Sequence, residues 1–130
     1  MEDWQNMKKI LIIEDDQAIV DSIVALLKAE FEVDYANNGN SGLEKVKSFA
    51  PDLIILDLLM PEKDGFDVAN KLRADEELKK IPIITLSSFT ELYGMSFGSD
   101  ETKGVLPTDI YLSKPLDPHT LVREIKEHIK

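Results

Sequence analysis

Residues 53–65 read LIILDLLMPEKDG. Leu53, Ile54, Ile55 and Leu56 follow Pro51 as an unbroken apolar run, which leads directly into Asp57 and then Leu58, Leu59 and Met60 before a polar turn ending at Gly65. Four apolar residues without polar alternation predict a strand buried on both faces, as in a parallel sheet. A carboxylate inside such a run costs free energy unless its charge is used. The stretch therefore predicts a sheet covered on two sides and a purpose for Asp57.

Outward from this strand, extended and helical patterns alternate. Upstream, KKILII (8–13) is a short β-rich run, and 17–30 carries Ile19, Val20, Ile23, Val24, Leu26 and Leu27 at helical spacing. FEVDYA (31–36) reads as a more exposed strand, NNGNSG (37–42) as a turn, and 42–50 as a helix with Leu43, Val46 and Phe49 on one side. Downstream, 64–75 is a helix presenting Phe66, Ala69 and Leu72, while 81–86 and 109–113 are the fourth and fifth strands. A last helix spans 117–130, with Asp117 as its N-cap and Pro118 at its first position. This α/β alternation predicts a five-stranded parallel sheet, doubly wound by right-handed crossovers. In such sheets ligands bind at the carboxyl ends of the strands.

Composition narrows the function. The 130 residues fit one domain, with residues 1–7 as an N-terminal arm and 8–130 as the folded unit. A net charge of −10 argues against direct nucleic-acid binding and suits a cytoplasmic protein meeting basic partner surfaces. With no cysteine, disulfides and thiolate metal sites are excluded. The start, MEDWQNM, is no signal peptide, and no apolar run approaches the roughly 20 residues that membrane insertion needs.

The expected strand ends carry a distinctive set of groups. Strand one ends in Glu14-Asp15-Asp16, strand three in Asp57, strand four in Ser87-Ser88 and strand five in Ser113-Lys114-Pro115. Carboxylates converging there would repel one another, and a hard divalent cation is the simplest remedy. Mg²⁺ held by Glu14, Asp15 and Asp57 leaves room for a phosphoryl oxygen. Lys114 would balance charge, and Ser87 would hydrogen-bond a second phosphoryl oxygen. Attack by the Asp57 carboxylate on phosphorus would give an acyl phosphate. Asp16 fits a helix N-cap better than a metal ligand, and His119 and His128 read as surface residues of the terminal helix.

In order, IIEDD, LDLLMP with Gly65, ITLSS and YLSKP resemble the bacterial response-regulator receiver domain of two-component signalling, over Lys8 to Ile129. The resemblance implies the flavodoxin-like strand order 2-1-3-4-5. It implies that Asp57 accepts phosphoryl from a histidine kinase's phosphohistidine, so that a sensor histidine kinase or phosphotransfer protein is one partner and a downstream protein another. Asp15, Asp57 and the backbone carbonyl of Leu59 would bind Mg²⁺ directly, with Glu14 acting through a water. Ser87 and Tyr111 would be switch residues: Ser87 moves toward the phosphoryl group and Tyr111 turns into the space vacated, altering a docking surface and allowing a phosphorylation-dependent dimer. The implied protein is not an enzyme acting on other substrates; it catalyses only its own phosphotransfer and dephosphorylation.

Two features depart from the family pattern. The stretch between Ser88 and Asp109 is long and holds Gly94, Gly98, Gly104 and Pro107, which predicts an irregular segment in place of a regular fourth helix. It reads either as a tolerated insertion or as a special partner surface. Leu59 and Phe89 are apolar where an attacking water would pass, which predicts slow dephosphorylation unless both side chains point elsewhere. Two other functions compete. A Mg²⁺-dependent phosphohydrolase with an aspartyl nucleophile usually needs a second carboxylate two residues on, where this chain has Leu59. A pseudo-receiver acting only as a protein-binding module would not need Asp57, Ser87 and Lys114 together. Nothing follows Lys130, so the expectation is a stand-alone module.

Overall fold

A computed structural model describes residues 7–58, 60, 64–88, 110–114 and 117–129. Five parallel strands form one sheet: β1 (Lys9–Ile13), β2 (Glu32–Ala36), β3 (Leu53–Asp57), β4 (Ile83–Ser88) and β5 (Ile110–Lys114). Their order is β2-β1-β3-β4-β5, the flavodoxin-like arrangement. The described helices are α1 (Gln17–Leu27), α2 (Gly39–Phe49), α3 (Asp64–Ala74) and the terminal α4 (Pro118–His128). The irregular segment expected after Ser88 and the arm before Met7 fall outside the described residues.

Alternation along the strands divides the core into two layers. Ile10, Ile12, Leu53, Ile55, Ile84 and Leu86 pack with Val20, Ile23 and Leu27 of α1 and with Leu121 and Ile125 of α4. Leu11, Ile13, Ile54, Leu56 and Ile83 point the other way and pack with Val46 of α2 and with Val68, Ala69 and Leu72 of α3. All five positions of β3 are buried, whereas β2, at the edge, is the open strand expected from its sequence. Burial of the strand side chains on both faces holds the sheet ends in a fixed relation.

Two local readings need correction. NNGNSG is not a turn throughout, because α2 begins at Gly39. Asn38 caps it by accepting the Ser41 N–H at 2.8 Å, and Gly42 lies against Ile13, where an added Cβ would come within 2.7 Å of Cδ1. Residues that make turns also make helix starts, and here the cap prevails. Leu26, counted in the apolar stripe of α1, is 38% exposed. In α4 Asp117 occupies the expected N-cap position without a side-chain cap bond to the backbone; instead Thr120 Oγ1 donates to its carboxylate at 2.6 Å, and this bond holds the Asp117 carboxyl below the usual carboxylate range.

Backbone demands appear at two positions. Ala50, after α2, is left-handed at φ 54°, a conformation that strains a non-glycine residue. Gly65, in the first turn of α3, lies so close to the backbone of Asp57 and Leu58 that any Cβ would overlap their carbonyl oxygens and the Leu58 Cα. Gly65→Ala is expected to destabilise the protein by about 3 kcal/mol, and Ala50→Gly to stabilise it by about 0.5–1 kcal/mol. Urea unfolding of both variants checks this; a Gly65→Ala protein as stable as the parent would show that α3 does not depend on this approach.

Candidate functional site

Three chain segments meet where β1 and β3 end. Glu14 follows β1; its N–H donates to the Ala36 carbonyl at 3.0 Å, and its own carbonyl accepts from Asn37 Nδ2 at 3.0 Å. Its carboxylate accepts the Asp16 N–H at 3.2 Å, and only 1% of the residue is exposed. Asp16 turns away to cap α1, where its Oδ1 accepts the Ala18 N–H at 3.0 Å. The carboxylates of Glu14 and Asp16 are thus separated by local hydrogen bonding, one directed into the fold and one spent on the helix.

Asp57 ends β3 beside Leu86 of β4 and is 2% exposed, while the next residue, Leu58, is fully buried and donates its N–H to the Leu86 carbonyl at 3.2 Å. One carboxylate oxygen from each of Glu14, Asp15 and Asp57 lies within 4.8 Å of the others, with Asp15 exposed and the other two buried. Like charges this close repel one another, the more so where water is largely excluded. The donor set consists of hard oxygens with one open side, which fits Mg²⁺: such an ion keeps several waters and takes one or two carboxylates. What the arrangement can do chemically is hold a divalent cation beside an aspartate whose remaining oxygen can act as a nucleophile.

The other expected residues fall into place by strand register. Ser87 is one position beyond the Leu86–Asp57 pair and pairs with Ser113, while Ser88 pairs with Lys114. The β4 and β5 backbones thus bring Ser87 and Lys114 to the edge that holds the carboxylates. Tyr111, half-buried, pairs with Thr85 farther down the ladder. Leu59 and Phe89 lie outside the described residues. His119 is exposed, and His128 is half-buried with Nδ1 2.9 Å from the Glu124 carbonyl oxygen, so neither joins the site.

Sequence reading missed two residues. Asn37, assigned to a turn, reaches from the end of β2 to the Glu14 carbonyl and to Gln17 Oε1 at 3.2 Å. The signal was present in the parallel order, which sets the ends of β1 and β2 side by side. Thr85 is a fully buried hydroxyl in β4, hidden in a run that reads simply as apolar.

Comparison with known proteins agrees with this fold. Residues 10–126 match the family model of the response regulator receiver domain. The DNA-binding dual master transcriptional regulator RpaA of Synechocystis sp. is 36% identical over 121 residues, covering 92% of this chain and 48% of RpaA. The alkaline phosphatase synthesis transcriptional regulatory protein PhoP of Bacillus subtilis is 30% identical, covering 95% of this chain and 47% of PhoP. The chain thus spans about half the length of the curated relatives it matches. Among solved structures, chemotaxis protein CheY4 of Vibrio cholerae superposes with a TM-score of 0.81 at 27% identity, covering 95% of this chain and 99% of CheY4. The receiver domain of a Pseudomonas aeruginosa sensor histidine kinase, 24% identical, shares the fold at a TM-score of 0.79; it covers 94% of this chain and 97% of that one, and its own active-site cleft coordinates magnesium.

Cation binding at the carboxylates should raise stability by mass action. Mg²⁺ at ten times its Kd is expected to add about 1.4 kcal/mol, seen as a rise of several degrees in Tm. Asp15→Ala and Asp57→Ala should each remove most of that rise. A rise that persists in both variants would move the cation elsewhere.

Proposed function

Because this chain belongs to the response-regulator receiver family, we propose that it is the phosphoacceptor module of a two-component signalling system, with Asp57 as the phosphorylated residue. The observation that carries the reading is the convergence of Glu14, Asp15 and Asp57 within 4.8 Å at the strand ends. In the proposed site Asp15 and Asp57 would hold Mg²⁺ together with, as the family resemblance implies, the Leu59 carbonyl, and Glu14 would act through a water. The bound ion would supply charge neutralisation for the incoming phosphoryl group. Asp57 Oδ attacks phosphorus, the donor's P–N bond breaks, and a phosphohistidine partner leaves as neutral imidazole after taking a proton. Ser87 hydrogen-bonds one phosphoryl oxygen and Lys114 pairs with another.

The phosphoryl group adds close to two negative charges and three strong acceptors beside β4 and β5. Ser87 and Tyr111 respond to that event as a two-state element, and the face near β5 and α4 changes its docking properties. The partners are a sensor histidine kinase or phosphotransfer protein and a downstream protein, with a phosphorylation-dependent dimer as one form of output. The module itself binds no nucleic acid, in keeping with the net charge of −10; DNA binding in the named relatives belongs to those proteins, of which this chain matches about half. No helix among the described residues is long and apolar enough to cross a membrane; the cytoplasm, where a histidine kinase would draw its phosphoryl group, is the proposed setting of the module. It acts on no substrate but itself. The phosphohydrolase alternative lacks its second carboxylate, because Leu59 stands two residues after Asp57.

Acetyl phosphate with Mg²⁺ should add one phosphoryl group to the protein by intact mass, and Asp57→Ala should take none. A wild type that stays unmodified both with acetyl phosphate and with a panel of phosphorylated histidine donors would contradict the reading. The adduct should be long-lived, because neither Leu59 nor Phe89 can orient a water; a half-life of seconds would show that water reaches phosphorus regardless.

A further inference from the structure

One buried polar group has no part in the phosphoryl chemistry. Thr85 sits in β4 at 0% exposure, and its Oγ1 has no hydrogen-bond partner among the described residues. Across the sheet it is in register with Leu56 of β3 on one side and Tyr111 of β5 on the other. Ile83, two residues before it, and Leu56 both belong to the apolar layer that includes Met60 and Val68. A valine would fill this place with the same shape and no polar atom. A desolvated hydroxyl without a partner opposes the conformation that contains it. Such groups are rare in folded proteins and call for an explanation in each case.

The register supplies one. Tyr111 is the in-register neighbour on the same pleat, and it is half-buried. Cross-strand neighbours on one face are in reach of each other's side chains. A ring that turns inward from Tyr111 crosses the ground above Thr85, and Ser87 lies two residues farther along the same strand.

We propose that the Thr85 hydroxyl is a positioning group for the switch, unpaired in the conformation seen here and supplied with a hydrogen bond, from a water or hydroxyl brought by Tyr111, once the β4–β5 seam rearranges. It thereby narrows the free-energy gap between the two states, and a ligand that selects the rearranged state binds more tightly because of it. The inference rests on the receiver reading above.

Beryllofluoride, a phosphoryl mimic, separates the two. Its affinity in the presence of Mg²⁺ is measured for wild type, Thr85→Val, Thr85→Ser and Asp57→Ala, with urea unfolding of each protein in the absence of ligand. Thr85→Val should be at least as stable as wild type and bind about fivefold more weakly. Thr85→Ser, which keeps the hydroxyl and loses a methyl group, should be less stable yet keep wild-type affinity. Asp57→Ala should not bind. Equal affinity for wild type and Thr85→Val overturns the proposal and leaves the receiver reading standing. Equal weakening in Thr85→Val and Thr85→Ser, or a Thr85→Val protein less stable than wild type, also overturns it, since shape or a satisfied hydroxyl would then explain the site. No binding by wild type removes both readings.

Discussion

Mutual repulsion among carboxylates governs how this molecule is built. Glu14 and Asp57 are almost fully buried, and Asp15 brings a third carboxylate to within 4.8 Å of them. Charges of one sign this close repel, so a rigid framework is what holds the groups together. That framework is local and specific. Glu14 is fixed by the Ala36 carbonyl, by Asn37 and by the Asp16 N–H, and Asp57 is fixed by its place between Leu56 and Leu58, both fully buried. The same repulsion that burdens the fold makes the site receptive to a cation.

The sheet serves this end through its two apolar faces. Because the strand residues between Ile10 and Leu86 divide between the α1–α4 layer and the α2–α3 layer, no strand can slip by one residue without turning its core side chains to the wrong face. Register is therefore fixed, and with it the alignment of Asp57 with Leu86 and the approach of Ser87 to the same edge. Gly65 extends the constraint to α3, whose first turn rests directly on the backbone that carries Asp57. The backbone that carries Asp57 is thus packed against a helix as well as between two neighbouring strands.

Much of this was legible before any coordinates. LIIL before Asp57 announced a strand buried on both faces, and β3 is buried at every position. The carboxylates of Glu14, Asp15 and Asp57 could be placed at one edge because parallel strands put their carboxyl ends together. The start of α2 was misread because Asn-Gly-Asn-Ser-Gly satisfies the chemistry of both a turn and a capped helix, and only the Asn38–Ser41 bond decides between them. Leu26 was misjudged because an apolar stripe drawn from spacing is wider than the surface the sheet can cover. Asn37 and Thr85 escaped notice because their roles depend on cross-strand neighbours, which local pattern does not name.

The central claim is that the carboxylates after β1 and β3 form one cation site around Asp57. Paramagnetic broadening of backbone amide signals by substoichiometric Mn²⁺, competed with Mg²⁺, tests it most directly. The account predicts the strongest broadening at residues 14–16, 57 and 58, its loss in Asp57→Ala, and its reversal by Mg²⁺. Broadening centred on other acidic positions such as Glu76 and Glu77, or unchanged by the substitution, would contradict it.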